Sequence, residues 1–402
     1  MYDKELIKKV CDLTCSMEIT VKNTFERIDA LYDYYLSVWK DVCDIESPTR
    51  DKAGLDACCD YFVRIARERG WDVEVLKDPT AGNVASITLN PRAEGKPLCF
   101  SGHLDTVHEK GLFGYPPTKI EGDKIYGPGV ADCKGGAVAA MLAMDALDRE
   151  GFRARPIRLI LQSDEEMGSR PSERRTINYM IEKARDAVAF LNLEPHVAGS
   201  VCIARKGIAT YTFTVKGVAA HASLCAKQGA NALLEAAHKI IELEKIKDDE
   251  GLTCCCSVIE AGKVSNTVPE VCVFKADVRY ATLAQREAMD AHARRIAETV
   301  YVEGCSTTFT RPARGRIMME LCERNLSLCE SFNAALEKAG LARLKGYKRA
   351  GGSDAADITE AGIPCLDSLG VEGEKIHSHE EYALTESLRT AAQRLVAAAY
   401  YI

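Results

Sequence analysis

Three apolar segments of this chain each end in side chains that proteins use to bind metal ions. The segments, with the side chains that follow them, are 97–100 with His103 and Asp105, 158–162 with Glu165 and Glu166, and 187–191 with Glu194. Apolar runs of this length are typical of buried strands. Because ligands bind beyond the carboxyl ends of the strands in open α/β sheets, we expect these side chains to converge at one sheet edge.

His103 and Asp105 are two residues apart, which places both side chains on the same face of a strand. A histidine that binds a metal through one ring nitrogen usually donates its other N–H to a second group. That group is either the Asp105 carboxylate or a backbone carbonyl. A His-x-Asp pair alone is more often structural than metal-binding, so the other strand ends decide the interpretation.

Further acidic and imidazole side chains fit the same site, although each has a simpler explanation on its own. Asp132 precedes a helix over 137–147 that is apolar nearly all round, and it is either a metal ligand or the helix N-cap. Glu165 and Glu166 repel one another unless a cation lies nearby, or they form a solvated turn. With His377, the set suits zinc, cobalt or manganese, and it suffices for two ions if one carboxylate bridges them.

The composition limits the partners of the chain. Its 402 residues include 52 basic and 59 acidic side chains, and the net charge of −7 argues against nucleic acid as a partner. No apolar run has the length of a membrane span, and the charged segment 1–5 is unlike a secretory signal. The 17 cysteines lack CxxC spacing, as free cysteines do in a reducing compartment. We therefore expect a cytoplasmic protein without a membrane partner.

The pattern of the chain changes near residue 206 and changes back near residue 314. Before 206, a helix is expected from residue 1 to about 45, short apolar strands follow, and 108–130 is rich in glycine and proline like a loop. Residues 210–215 alternate strictly, as in an antiparallel strand with one buried face. We expect an α/β domain of residues 1–205 and 314–402, interrupted by an α+β domain of residues 206–313.

Six motifs occur in order along the chain: Gly-His-Leu-Asp-Thr-Val at 102–107, Gly-Val-Ala-Asp-Cys-Lys-Gly-Gly at 129–136, Asp-Glu-Glu-Met-Gly-Ser at 164–169, Glu-Pro at 194–195, Ala-His-Ala-Ser at 220–223 and His-Ser-His-Glu-Glu-Tyr at 377–382. With them, the sequence from about residue 30 onward resembles the di-zinc aminoacylase and carboxypeptidase family of clan MH. The resemblance implies a zinc-exopeptidase catalytic domain with a mixed central sheet flanked by helices. It also implies that the inserted domain is a lid and dimerisation domain.

The resemblance implies two zinc ions in each subunit, with cobalt or manganese as alternatives. The implied ligands are His103 and Glu194 for one ion, Glu166 and His377 for the other, and Asp132 as the bridge between them. Glu165 would be the general base, and Asp105 would orient His103. The peptide bond after Asp132 would be cis. His377 and His379 compete for one ligand position, and their spacing to Glu381-Tyr382 favours His377.

The resemblance also implies roles for residues of the inserted domain and beyond it. His221 would reach the active site of the partner subunit in a homodimer, where it would donate to the tetrahedral oxyanion. Asn266 matches a position that contacts the substrate carboxylate across the dimer. Arg311 and Gly352 match other substrate-contact positions.

Three functions are open on this basis. The first is a metal-dependent carboxypeptidase or dipeptidase for small peptides, in which Glu165 activates a water molecule between the two ions. The second is an N-acyl-amino-acid amidohydrolase, a deacetylase or desuccinylase with the same chemistry. The third is an inactive binding protein on this fold, against which the presence of Glu165 argues, since inactive relatives should lack the base.

Overall fold

The fold is described from a computed structural model of the chain. The described residues are 4–225, 227–248, 251–311 and 315–402, with side chains from residue 18 onward. The predicted domain boundary between 313 and 314 lies outside these residues. None of the described helices combines the length and the apolar character that crossing a membrane requires.

The described part of the chain alternates between helices and strands. The helices are α1 (Lys4–Asp44), α2 (Lys52–Glu68), α3 (Lys134–Arg149), α4 (Arg175–Ala184), α5 (Ala232–Leu243), α6 (Leu283–Glu298), α7 (Glu323–Lys338), α8 (Ala355–Glu360) and α9 (Ser387–Tyr401). The strands are β1 (Asp72–Leu76), β2 (Val84–Leu89), β3 (Leu98–His103), β4 (Lys119–Glu121), β5 (Lys124–Tyr126), β6 (Ile157–Gln162), β7 (Ala189–Asn192), β8 (Ser200–Arg205), β9 (Gly207–Lys216), β10 (Thr253–Ala261), β11 (Val271–Tyr280), β12 (Ser306–Thr310), β13 (Lys345–Arg349), β14 (Cys365–Leu366), β15 (Gly373–Glu374) and β16 (Tyr382–Leu384).

The chain forms two compact units. The first consists of Met1–Ile203, Leu321–Tyr347 and Ser353–Ile402, and the second of Ala204–Glu320 and Lys348–Gly352. The second unit is therefore inserted into the first along the chain.

The first unit is built on a mixed six-stranded sheet in the order β1-β2-β6-β3-β7-β14. Strands β6, β3, β7 and β14 are parallel, while β2 pairs antiparallel with β6 and the edge strand β1 pairs antiparallel with β2. The carboxyl ends of the four parallel strands consequently meet at one edge. This confirms the expected mixed sheet and gathers the segments that follow β3, β6 and β7.

Helices cover the sheet of the first unit, and their sequences explain why they lie there. In α1, the buried residues Ile28, Leu31, Tyr35, Trp39 and Val42 recur every three or four positions, so one face packs against α3 and α9. Helix α3 is buried throughout 134–147, as its apolar sequence predicts. The predicted first helix is confirmed over the described residues Lys4–Asp44.

A small four-stranded sheet in the order β15-β16-β5-β4 lies in the same unit. The prediction that 108–130 is a loop is therefore wrong for β4 and β5. These strands have three residues each, which is too short for a periodicity to appear in the sequence. Their pairing matters for the site, because β5 pairs with β16 through Tyr126 and Tyr382.

The second unit is an antiparallel sheet in the order β10-β11-β9-β12, with α5 and α6 packed against it. Alternate residues of β9 and β11 are buried, as the strict alternation at 210–215 predicts. Phe213 and Phe274 stack with ring centroids 4.7 Å apart in its core. Strand β10 is at the edge of this sheet.

Candidate active site

His103 is the last residue of β3, at the sheet edge where the parallel strands end. Its ring is buried, and Nδ1–H donates to the backbone carbonyl of Asp105 at 2.9 Å. This hydrogen bond leaves Nε2 for a ligand. Nε2 lies 3.0 Å from Asp132 Oδ1 and 3.6 Å from Glu194 Oε1. Of the two partners that the sequence leaves open, the backbone carbonyl is the closer, because Asp105 Oδ1 is 3.3 Å from Nδ1.

Asp132 lies between two imidazoles. Its Oδ1 contacts His103, and its Oδ2 lies 3.3 Å from Nε2 of His377. The peptide bond from Asp132 to Cys133 is cis, as expected. The first turn of α3, which follows Asp132, approaches the end of β7 closely, because a Cβ on Gly136 would lie only 2.2 Å from the carbonyl oxygen of Leu193. Only glycine allows this approach, which brings Asp132 near the segment that carries Glu194.

Glu165 and Glu166 lie in a single 3₁₀ turn directly after β6, and Glu165 is buried. The Asp105 carboxylate holds this turn, since Oδ1 accepts the N–H of Glu165 at 3.1 Å and Oδ2 accepts that of Glu166 at 3.0 Å. The hydroxyl of Thr49 also donates to Asp105 Oδ2, at 2.8 Å. Asp105 thus connects the end of β3 to the turn with both acids.

His377 completes the group from the loop before β16. Its Nε2 lies 3.4 Å from Glu166 Oε2, as well as 3.3 Å from Asp132. The backbone of His377 has a positive φ of 63°. His379 is exposed and is not among the partners of Asp132 or Glu166. The geometry therefore brings His377, the favoured member of the predicted pair, to the acidic side chains.

The charges of the site perturb one another strongly. Burial raises the pKa of Glu166 to about 7. The hydrogen bond with Asp132, and then that with Glu166, raise the pKa of His377 to about 10. Burial acts to raise the pKa of Asp132, but the hydrogen bonds with both imidazoles outweigh it and hold this pKa well below its usual range. Carboxylates that bind protonated imidazoles in this way offer the charge that a divalent cation requires.

The donor set fits a metal centre. Among the described residues, ligand atoms of His103, Asp132 and Glu166 lie within 4.8 Å of one another, and so do those of His103, Cys133 and Glu194. Cys133 is the one member of these two groups whose side chain is neither an imidazole nor a carboxylate. Its thiol donates to the carbonyl of Leu193 at 3.0 Å, and burial raises its pKa, so in the metal-free protein it is the neutral thiol.

The other predicted site residues belong to the second unit. His221 and Asn266 are neighbours there, since His221 pairs with Thr267 and the carbonyl of Asn266 accepts the N–H of Ala222 at 2.9 Å. The guanidinium of Arg311 lies 2.7 Å from Asp290 of α6. The carbonyl of Gly352 accepts from the Arg205 guanidinium at 3.2 Å.

The orientation of the His221 ring is fixed by its own turn. Nδ1 accepts the backbone N–H of Ser223 at 3.3 Å and lies 2.8 Å from the Ser223 hydroxyl. In a neutral ring the proton is consequently on Nε2, at the side away from this turn. The exposed ring can therefore act as a hydrogen-bond donor.

Sequence reasoning missed three residues at the site. Thr49 follows the predicted first helix and contacts Asp105. Glu381 is buried and accepts the backbone N–H of Asp132, and His108 donates to the same carboxylate at 2.7 Å. The sequence contained one signal for Glu381, its fixed place in the motif at 377–382, but no signal for the other two.

Comparisons with known proteins agree with this site. Residues 99–401 match the peptidase family M20/M25/M40. Carboxypeptidase G2 from Pseudomonas sp. (strain RS-16) is 30% identical over 344 residues, which cover 83% of this chain and 81% of that protein. Succinyl-diaminopimelate desuccinylase from Rhodospirillum centenum is 25% identical over 240 residues, covering 56% of this chain and 62% of that protein.

A solved structure has the same fold. Aminopeptidase PepT from Bacillus cereus ATCC 10987 superposes with a TM-score of 0.77 at 22% identity, covering 92% of this chain and 98% of that one. A family match across three quarters of the chain, a carboxypeptidase of similar length and a site of convergent imidazoles and carboxylates lead to one conclusion. The chain belongs to peptidase family M20/M25/M40 and is a metal-dependent enzyme of the metallopeptidase and amidohydrolase type.

Proposed function

We propose that the first unit binds two zinc ions, with cobalt or manganese as substitutes. In this proposal His103 and Glu194 bind one ion, Glu166 and His377 bind the other, and Asp132 bridges them. The observation that carries the proposal is the position of Asp132, whose two carboxylate oxygens contact Nε2 of His103 and of His377 separately. Each ion would thus have one imidazole and one further carboxylate, ligands that suit zinc.

We propose that Glu165 is the general base of amide hydrolysis. A divalent cation, when bound, polarises the substrate carbonyl and lowers the pKa of water. Glu165 is buried and precedes Glu166 in the same turn, and the proposed ligand set does not need it. It would take a proton from the attacking water and pass it to the leaving amine. Asp105 would position Glu165 and Glu166 through their backbone N–H groups.

The proposed reaction is the release of a C-terminal residue from a small peptide, by a carboxypeptidase or dipeptidase. Support comes from the relative with 30% identity, which is a carboxypeptidase. The second candidate is an N-acyl-amino-acid amidohydrolase, which the desuccinylase relative favours. An inactive binding protein is a remote third candidate, and the retained Glu165 argues against it.

A substrate panel with a chelator arm tests this function. Purified enzyme is incubated with blocked dipeptides and with N-acetyl and N-succinyl amino acids, and the products are identified by mass spectrometry. We expect metal-dependent release of an amino acid, and release of acetate or succinate instead would favour the second candidate. Glu165→Gln should abolish turnover and keep the metal content, whereas Glu182→Gln, at an exposed position, should leave both unchanged. Full turnover of Glu165→Gln would refute the base.

We propose that the second unit forms a homodimer. Its edge strand β10 and helix α5 expose the apolar side chains Leu234, Ile241, Val258 and Ile259. An edge strand with exposed apolar residues is a surface on which a second copy can pair. Sedimentation should show a dimer that Ile241→Glu weakens, while Ile19→Glu, at a comparably exposed site of α1, does not. A monomeric wild type would contradict the proposal.

We propose that His221 donates from Nε2 to the oxyanion in the partner's active site, with Asn266 beside it as a contact to the substrate carboxylate. Arg311 and Gly352 remain proposed substrate contacts. Mixing subunits tests the assignment, because a dimer of one Glu165→Gln and one His221→Ala chain would keep one intact site. An equimolar mixture should recover about a quarter of the wild-type activity. If mixed dimers form but have no activity, His221 acts in the active site of its own chain.

A further inference from the structure

Glu381 is a buried carboxylate with no role in the proposed chemistry. It precedes β16, only 1% of it is exposed, and both of its oxygens accept hydrogen bonds. Oε1 accepts the backbone N–H groups of Ala131 at 3.0 Å and of Asp132 at 3.1 Å. Oε2 accepts from Nε2 of His108 at 2.7 Å. Glu381 is therefore in direct contact with the backbone of the proposed bridging residue.

The two N–H groups on Oε1 belong to consecutive residues, so one oxygen fixes the orientation of two successive peptide groups. The second of them leads into Asp132, whose side-chain oxygens must reach His103 and His377 separately. A second tie comes from the backbone, because the carbonyl of Glu381 accepts the N–H of Gly127 at 3.3 Å. These hydrogen bonds thus fix the distance between the loop that carries His377 and the loop that carries Asp132.

The bond to His108 attaches a third segment. His108 follows the end of β3, and its buried ring packs edge-on against Phe113 with centroids 5.0 Å apart. The adjoining loop exposes Leu112 and Tyr115. The Glu381 carboxylate consequently connects three segments: the one after β3, the one after β5, and the loop that carries His377.

We infer that Glu381 is a positioning residue, which sets the place of the Asp132 carboxylate for the metal ions and, through His108, orders the loop after β3. The inference depends on the proposed function, since it takes Asp132 as a metal ligand. Glu381 is not a ligand itself, because its oxygens are engaged by these donors. Residues that orient metal ligands typically change metal affinity 10- to 100-fold when they are replaced.

Cobalt titration of the metal-free enzyme tests the inference without relying on turnover. We compare Glu381→Ala, Glu381→Gln and His108→Ala with Glu380→Gln, whose exposed side chain lies next to Glu381. Glu381→Ala should bind cobalt about 10- to 100-fold more weakly and change the visible spectrum of the bound ion. Glu381→Gln keeps one acceptor and should recover part of this loss. His108→Ala should lose less than Glu381→Ala, because the bonds to Ala131 and Asp132 remain, and Glu380→Gln should equal the wild type.

Circular dichroism of the metal-free variants separates positioning from folding. If the Glu381 variants fold and bind cobalt with the affinity and spectrum of the wild type, the inference is wrong while the proposed function stands. If Glu381→Ala and Glu381→Gln both lose their folded structure, Glu381 is a structural residue and the inference is again wrong. If the wild type itself binds no cobalt, the proposed metal site fails, and the inference fails with it.

Discussion

The carboxylate of Asp105 accepts the backbone N–H of Glu165 at 3.1 Å. Its other oxygen accepts the N–H of Glu166 and the hydroxyl of Thr49. Asp105 is fully buried, so these donors satisfy a charge that would otherwise be costly to bury. Both acids of the turn after β6 are thereby held against the end of β3, beside His103.

Replacing Asp105 with asparagine should lower kcat about 10- to 100-fold. An amide has only one acceptor oxygen, so its NH₂ group would face a donor of the turn and displace Glu165 or Glu166. Steady-state kinetics with a saturating metal concentration measure the effect, and Asp60→Asn on the exposed side of α2 is the control. Wild-type kcat in Asp105→Asn would show that these hydrogen bonds do not position the acids.

Replacing Gly136 with alanine should destabilise the metal-free protein by about 1–3 kcal/mol, since the added Cβ overpacks a filled space. That Cβ would lie 2.2 Å from the carbonyl oxygen of Leu193, so the end of β7 must move. Gly102→Ala is the matched comparison, because its Cβ would approach Ala137 Cβ at a milder 3.3 Å. Urea unfolding measures both, and equal stability of Gly136→Ala and the wild type would contradict the close packing of the first turn of α3 against the end of β7.

Metal binding should release more protons at about pH 6 than at about pH 8. The pKa of Glu166 is raised to about 7 by burial, and that of His377 to about 10 by hydrogen bonds with Asp132 and Glu166. Between pH 7 and pH 10, His377 must lose a proton to bind a metal, but Glu166 is already ionised. Below pH 7, Glu166 must lose a proton as well. The metal affinity should therefore fall as the pH falls, and more steeply below pH 7.

Calorimetric titration of the metal-free protein with zinc, in buffers that differ in ionisation enthalpy, counts these protons. Glu380→Gln serves as a control, because Glu380 is exposed and is not one of the proposed ligands. A binding enthalpy that does not depend on the buffer at either pH would mean that the cation displaces no protons, and the ligand assignment would be wrong.

His196 should make the stability of the fold depend on pH in the acidic range. Burial, and then the charge of Arg394, lower its pKa to about 4, and its Nδ1–H donates to the carbonyl of Ser368 at 2.9 Å. In the unfolded chain the imidazole has an ordinary pKa of about 6.5. Above that pH His196 is neutral in both the folded and the unfolded chain, so its protonation does not reduce the stability of the fold. Stability is then lost as the pH falls through the window from 6.5 to about 4, at up to about 1.4 kcal/mol per pH unit.

Urea unfolding of His196→Gln against the wild type, at several pH values in that window, measures the effect. The wild type should lose stability more steeply than the variant as the pH falls. His238→Gln, at an exposed position of α5, should follow the wild type. Parallel pH dependences of wild type and His196→Gln would contradict the prediction.

Much of the fold follows from periodicity in the sequence. The buried strands before His103, Glu165 and Glu194 are short apolar runs, and the helix after Asp132 is apolar all round, so their burial could be predicted. Their convergence follows from the rule for strand ends in α/β sheets. The sequence did not reveal β4, β5, β15 and β16, because strands of two or three residues have no detectable alternation.

What the sequence could not predict are contacts between distant segments. Tyr126 pairs with Tyr382 across more than half of the chain, and this pairing brings Glu381 to the backbone of Asp132. Glu380 and Glu381 are chemically equal neighbours, yet one is exposed and the other buried. Only the pairing of β5 with β16 distinguishes them. Likewise, the predicted end of the first helix at about residue 45 gives no sign that Thr49 contacts Asp105.

Anomalous diffraction at the zinc absorption edge, from crystals of the zinc-loaded protein, tests the metal site most directly. We expect two peaks roughly 3.5–4 Å apart on either side of the Asp132 carboxylate. One should be within bonding distance of His103 and Glu194, and the other of Glu166 and His377. A single peak, or peaks away from these side chains, would contradict the proposed two-zinc centre.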